Sequence, residues 1–314
     1  MFNKIIFFGQ GPHAECVYNW CSKNKIDFLF ITSSRLKNQK ELKNILSGNA
    51  KKILKDKLDL TFLEKIVDNK TIAISAGSPY IFTQNIINLF NHKIYNLHDA
   101  PLPEFRGGAS ISWMILLGVK KWKSTIHEVD AGIDTGKILM EKEFSFPKKL
   151  KKPNEHRKYQ WELDLILLTK FLDKLYGSNK ISATKQNENN ACYYPRLNTE
   201  KNGWINFNWD SNYIERFIYS FSHDYGGARC NVSNNLIKIF AASAIKKNFK
   251  MHHPFLNGLV LNKIDKNSLV VATGKGLILI TEYVSNYTVK IGDRLYAPQK
   301  KLEESITSRI RYTP

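Results

Sequence analysis

Short, uninterrupted apolar runs alternate with segments of helical spacing through the first hundred residues, and this alternation constrains the fold more than any other feature of the chain. Residues 4–8 form one such run, and residues 26–32 and 70–75 form two more. A run that is too short for a stable helix yet mostly apolar reads as a strand buried on both faces, the kind found in parallel sheets whose connections are helices. The first run stops at Gly9, Gln10, Gly11 and Pro12, and a helical stretch carrying Val17 and Trp20 follows. After residue 32 comes a lysine-rich connecting region with helical stretches. The third run ends at Ala76, Gly77, Ser78 and Pro79, residues 82–90 put Ile86, Ile87 and Phe90 at helical spacing, and residues 93–98 return as a strand. The expectation is an α/β domain with a mainly parallel sheet covered on both faces.

Downstream, Ser110 or Ser112 is suited to cap a helix running through Trp113, Ile115 and Leu116 to Gly118. Residues 124–129 and 137–144 alternate like paired strands around a loop containing Gly132 and Gly136. A basic stretch over residues 148–158 reads as a solvated connector, and residues 159–176 as a long amphipathic helix. From about Tyr193 the texture changes. Ile205, Phe207 and Trp209 alternate with asparagines, Asp210 or Ser211 caps a helix with Ile214, Phe217, Ile218 and Phe221 on one face, and short strands follow between turn signals. These include Asn234-Asn235, Lys266-Asn267-Ser268 and Gly274-Lys275-Gly276. That pattern predicts a small antiparallel barrel, with domains at 1–192 and 193–314.

With 43% hydrophobic and 24% charged residues, the chain has enough apolar material for a core, which excludes a disordered protein. Cys16, Cys21, Cys192 and Cys230 form no C-x-x-C pair and are too few to staple 314 residues, so reduced thiols and a cytoplasmic location are expected. The apolar run near the N-terminus is too short for a signal-peptide core or a membrane span. A net charge of +19 admits nucleic acid, anionic small molecules or a membrane surface. The basic residues are mostly scattered lysines in a chain rich in Asn and Ile. Compositional drift plus a phosphate-bearing ligand therefore fits better than a dedicated nucleic-acid face.

Four polar residues can carry chemistry. Asn96 and His98, two apart on a strand, share a face while Tyr95 and Leu97 take the other, and Pro101 and Pro103 set the pair at the carboxyl edge of the sheet, where open α/β folds bind ligands. Asp134 lies between Gly132 and Gly136, and Arg106 precedes Gly107 and Gly108, a fixed cation beside two residues without side chains. Each also has a plain structural reading: a histidine bonded to a local carbonyl, a turn aspartate, an exposed loop.

In order, Asn96-Leu-His98, Pro103-Glu-Phe-Arg106-Gly107-Gly108, Trp113, Thr125-Ile-His127 and Gly132-Ile-Asp134-Thr-Gly136 resemble the signature of the folate-dependent formyltransferases. The resemblance implies a Rossmann-like core followed by a smaller OB-like barrel, and it makes Asn96, His98 and Asp134 the catalytic trio. It implies N10-formyltetrahydrofolate as co-substrate, with no metal needed because the folate already carries an activated acyl group. The pterin ring is expected between Ser75, Gly77, Ser78, Pro79 and Tyr80 and the backbone around Asp130, Gly132 and Ile133. Branches that formylate methionyl-tRNA or a purine-pathway ribonucleotide read Ser-Leu-Leu-Pro after the histidine, whereas this chain reads Asp99-Ala-Pro-Leu-Pro103. Residues 77–82 and 106–113 are similar instead to the branch that formylates nucleotide-linked amino sugars for surface polysaccharides such as the O-antigen of lipopolysaccharide. On that resemblance Arg106, Gly107, Gly108, Ser110, Trp113, His223 and Tyr225 are expected at the substrate, a dTDP-, UDP- or GDP-linked amino sugar, with a homodimer left open and no membrane partner. The rivals are methionyl-tRNA formylation, a non-catalytic basic nucleic-acid binder, and a nicotinamide oxidoreductase. The last is suggested by Gly9-x-Gly11-x-x-Ala14, but residues 30–34 end the second strand without an acid for a ribose.

Overall fold

The computed structural model describes residues 2–33, 51–177, 181–245, 253–265 and 267–309. The helical stretches expected within residues 35–50, Ser34 and the turn residue Lys266 lie outside the described residues. The first domain is built on a seven-stranded sheet. Its elements are β1 (Lys4–Gly9), α1 (Pro12–Asn24), β2 (Asp27–Thr32), β3 (Lys51–Leu54), α2 (Leu60–Glu64), β4 (Thr71–Ala76), α3 (Gln84–Leu89) and β5 (Ile94–His98). After these come β6 (Arg106–Gly107), α4 (Ser110–Leu117), β7 (Lys121–Glu128), β8 (Ile138–Ser145) and α5 (Pro153–Tyr176). The strand order is β3-β2-β1-β4-β5-β7-β8, parallel through β5, with β7 antiparallel to β5 and β8 antiparallel to β7.

The two covered faces explain the unbroken apolar runs. Ile5 and Phe7 pack with α1 and α5 through Val17, Leu168 and Phe171, while Ile6 and Phe8 pack on the other face with Leu63, Ile87 and Phe90. Each such side chain contributes about 1.5–3 kcal/mol on burial, so neither register nor face is free to slip. Chain direction around the sheet reverses between β1 and β4, which opens a crevice at their carboxyl ends. The two strands approach closely there. Gly9 has φ +142°, and a Cβ on it would lie 1.9 Å from the Ala76 carbonyl oxygen, so only glycine fits.

Two local expectations are corrected. Neither Ser110 nor Ser112 caps α4: Ala109, in the left-handed region at φ 58°, opens the helix without a side-chain cap. Ser110 Oγ donates instead to Asp99 Oδ1 (2.7 Å) and Ser112 Oγ to the Ser220 carbonyl (2.9 Å). The basic stretch over residues 148–158 is only partly a connector, because α5 begins at Pro153. Glu155 Oε2 accepts from the N–H groups of Lys151 (2.9 Å) and Lys152 (3.0 Å), and proline supplies a first-turn φ, so the helix starts two turns before its apolar stripe becomes visible.

The chain then crosses back through β9 (Tyr193–Tyr194), which pairs in parallel with β6. The second unit contains α6 (Thr199–Asn202), α7 (Ser211–Ser220), β10 (Ala228–Val232), β11 (Asn235–Ile245), β12 (Val260–Lys263), β13 (Leu269–Ala272), β14 (Leu277–Ser285) and α8 (Gln299–Thr307). Its five antiparallel strands run in the order β10-β11-β14-β13-β12. The edges are bridged by one segment: Tyr296 pairs with Asn231 on β10, and Arg294 with Leu259 beside β12. Asp210 caps α7 by accepting from the Asn212 N–H (2.8 Å), and Ile214, Phe217 and Ile218 fill the barrel core. The two units meet where α7 lies against α4, with Arg216 Nε donating to the Leu116 carbonyl (3.0 Å). Among the described residues no helix is long and apolar enough to cross a membrane.

Candidate active site

A cavity of about 570 Å³ opens at the carboxyl ends of β1, β4 and β5, within the range of about 300–1,000 Å³ usual for small-molecule sites. Asn96, His98 and Asp134 all line it. The period-2 geometry of β5 delivers the first two. Asn96 and His98 share the cavity side, whereas Tyr95 packs on Phe171 and Leu97 joins the core beneath α1. Because β7 runs antiparallel to β5, His127 falls directly opposite Asn96 in the ladder. Cross-strand partners share a face, and Asn96 Nδ2 lies 3.1 Å from His127 Nε2.

The protons follow from the partners. His127 Nδ1 donates to the Glu128 carbonyl (2.7 Å), so in the neutral ring Nε2 accepts from Asn96. That orients the Asn96 amide and leaves its second N–H for the cavity. His98 Nε2 donates to the Phe105 carbonyl (2.7 Å), which leaves Nδ1 as the lone-pair nitrogen, 3.8 Å from Asp134 Oδ1. Asp134 Oδ1 also stands 3.6 Å from His127 Nε2, and its Oδ2 accepts from the Gly107 N–H (2.9 Å). One carboxylate thus faces two imidazoles.

Electrostatics sharpen these roles. Burial alone would lower the pKa of His98, but Asp134, Asp99 and the Phe105 carbonyl outweigh it, so His98 holds its proton more firmly than an ordinary histidine. Burial opposes ionisation of Asp134, yet His98, His127 and the Gly107 N–H keep its carboxyl far below the usual carboxylate range. Asp134 is therefore an anion across the working pH range.

The other expected residues divide. Ser75, Gly77, Ser78, Pro79 and Tyr80 on one loop and Asp130, Gly132 and Ile133 on another all line the cavity, as do Gly107, Gly108, Ser110 and Tyr225. The Ser78 hydroxyl accepts from the Tyr80 N–H (3.2 Å), and Asp130 Oδ1 accepts from the Gly132 N–H (3.1 Å), so both loops are braced internally. Arg106 does not line the cavity. Its guanidinium is buried and committed to Gln186 (3.0 and 2.8 Å) and Glu188 (2.9 and 2.8 Å), which takes it out of reach of an anionic ligand. Trp113 also lies off the cavity and donates from Nε1 to the Pro195 carbonyl (2.8 Å). His223 stacks on Phe240 and faces Glu282 at 3.6 Å, a packing position at the barrel.

Sequence reasoning missed several wall residues. His127 stood in the quoted motif without a role, although its place on β7 opposite Asn96 was available from strand pairing. Arg157, His13, Trp161 and Asp164 line the cavity from α1 and α5. Arg157 bonds the Tyr225 hydroxyl, and His13 Nε2 lies 3.4 Å from Asp164 Oδ2. Arg157 was hidden in the stretch read as connector.

A Rossmann-like sheet with a carboxylate–imidazole–amide cluster at its switch-point edge, followed by an antiparallel barrel, defines the class. Residues 3–152 match the formyl transferase family and residues 198–287 its C-terminal domain, and the chain belongs to that family of enzymes. The methionyl-tRNA formyltransferase of Clostridium tetani is 28% identical over 237 residues, 76% of this chain and 73% of that one. Among solved structures, the N-formyltransferase from Helicobacter canadensis, in complex with folinic acid and dTDP-3-aminofucose, superposes with a TM-score of 0.70 at 18% identity, covering 90% of this chain and 100% of that one. WlaRD, a sugar 3N-formyl transferase solved with dTDP and 5-N-formyl-THF, gives 0.69 at 20% identity, covering 91% and 99%. These two likenesses establish the fold.

Proposed function

We propose that this enzyme transfers a formyl group from N10-formyltetrahydrofolate to the primary amine of a nucleotide-linked amino sugar, in the cytoplasm, for surface polysaccharide synthesis. The observation that carries the reading is one cavity lined by Asn96, His98 and Asp134 together with two differently equipped groups of residues. In the first group, Ile81, Phe82, Val129 and Ile133 offer apolar surface beside the backbone of the loops at 75–80 and 130–133, which suits a flat ring with polar edges. In the second, Arg157, Trp161, Arg196 and Tyr225 bring cations and aromatic faces to the lining, which suit a pyrophosphate and a base. The folate supplies the activated formyl group.

His98 Nδ1 accepts the proton that the attacking amine must lose, and returns it to N10 of the folate as the formyl C–N10 bond breaks and the new C–N bond holds. Such a proton relay accelerates a reaction typically about 100- to 10,000-fold. Asn96 directs its free N–H at the formyl oxygen as charge develops there. Asp134 stabilises the imidazolium between the two proton transfers. The amine must be neutral to attack, so a flat rate down to about pH 5 would count against His98 as the base.

A second reading, formylation of methionyl-tRNA, is favoured by the sequence relatives and by the net charge of +19. One experiment separates the two: incubate the protein and N10-formyltetrahydrofolate with dTDP-, UDP- and GDP-linked amino sugars and, separately, with methionyl-tRNA, and detect the formylated product by mass. Product only on tRNA, with binding that collapses steeply as salt rises, would reverse the assignment.

A further inference from the structure

The aspartate of the site is held in an unusual way. Asp134 has φ +55°, a left-handed conformation uncommon for a residue with a side chain, so something must brace its loop. The brace comes from a segment that neither family match covers, residues 153–197. Gln186 is buried, and its Nε2 donates to both the Asp134 carbonyl (2.8 Å) and the Gly136 carbonyl (2.7 Å). Its other end, Oε1, accepts from Arg106 Nε (3.0 Å) and Nη2 (2.8 Å). With the oxygen saturated by two guanidinium N–H groups, the amide cannot flip, and both hydrogens of Nε2 must face the aspartate loop. Glu188 grips the far side of the same guanidinium with two bonds of 2.9 and 2.8 Å.

The next residue closes the brace. Gly107 gives its N–H to Asp134 Oδ2 (2.9 Å), so Arg106 and Gly107 hold the backbone and the carboxylate together. Gly107 has φ +102°, and a Cβ there would stand 2.1 Å from the Tyr194 carbonyl oxygen, so the close β6–β9 pairing that fixes this strand requires glycine.

We propose that Gln186, locked by Arg106, is a positioning residue that sets the Asp134 carboxylate against His98. The pair touches neither substrate and acts through Asp134. The proposal rests on the reading of Asp134 as the group that governs His98, and the test keeps the two apart.

The imidazole titration of His98 is followed by NMR in the substrate-free, full-length protein for wild type, Asp134→Asn, Gln186→Met and Arg106→Lys. Gln186→Met removes both N–H donors without adding charge, and Arg106→Lys keeps the charge but loses the fork. Asp134→Asn is expected to drop the His98 midpoint towards the ordinary histidine value of about 6.5. Gln186→Met is expected to reproduce at least about half of that drop, and Arg106→Lys a smaller part, with melting temperatures that show both folded. An unchanged midpoint in both brace variants, with a shift in Asp134→Asn, overturns the proposal alone. No shift in Asp134→Asn overturns the reading of Asp134 beneath it. Loss of fold in both variants also overturns it, because the pair would then be holding the domain junction rather than the aspartate.

Discussion

The two walls of the cavity are built differently. One wall consists of strand ends and the loops that leave them: residues 75–82 after β4, Asn96 to His98 on β5, and 129–134 after β7. The other is assembled from side chains distant in sequence, with Arg157 and Trp161 from α5, Arg196 from the crossing segment, Thr199 from the start of α6, and Phe221 and Tyr225 after α7. The first wall hangs on a buried sheet with no freedom of register, and its Asp134 loop is tied down by Gln186 and the Gly107 N–H. The second depends on how a long helix and a second unit dock, which is where specificity among related substrates can change without disturbing the chemistry.

Substitutions should separate the walls. The largest effect belongs to the first: His98→Asn is expected to lower kcat about 100- to 10,000-fold with the melting temperature nearly unchanged, read by steady-state kinetics and circular dichroism. Asp134→Asn should follow, with kcat down about a hundredfold and a shifted pH profile. The ionised carboxylate favours the charged imidazole, so in the wild type His98 stops acting as a base at a higher pH than an ordinary histidine does. The acid limb of kcat/KM therefore lies above about 6.5, and removing the carboxylate moves it down. An acid limb that stays in place would mean the first wall does not tune its own base.

For the second wall, Arg157→Met should raise KM for the nucleotide-bearing substrate about tenfold, the loss of one charge-assisted hydrogen bond, while KM for the folate holds. Equal changes in both constants would erase the distinction between the walls. The smallest effect is expected from Glu155→Ala, which frees the two N–H groups at the start of α5. It should cost about 0.5–2 kcal/mol of stability, seen as a melting temperature lower by about 1–4 °C, with turnover per folded molecule little changed.

The same contrast explains what could be read from the amino acids. The sheet and the Asn96–His98 pair were visible because period 2 and two-sided burial leave a local pattern. The barrel was visible from alternation and turn residues, although its closing segment was not. Asp134 and Asp130 show the limit. Both are aspartates in one glycine-bounded turn, yet Asp130 accepts from the Gly132 N–H and the Thr135 hydroxyl as a turn residue does, while Asp134 faces two imidazoles. Only the position of β5 beside that turn tells them apart. Arg106 misled for a related reason: a cation next to two glycines suits an anion, but its partners, Gln186 and Glu188, lie 80 and 82 residues away. The start of α5 was obscured because its first turn is polar, so the cap had to be recognised before the apolar stripe.

Residues 294–296 bridge β10 and the approach to β12, and so act as the clasp of the barrel. Without them, the Asn231 N–H and carbonyl on β10 and the Gly258 carbonyl ahead of β12 would lose their partners, and unpaired groups at a strand edge are where a neighbouring molecule can add its own strand. A chain cut before Arg294 would thus leave part of the β10 edge open to self-association, and this short segment guards that edge as well as completing the barrel.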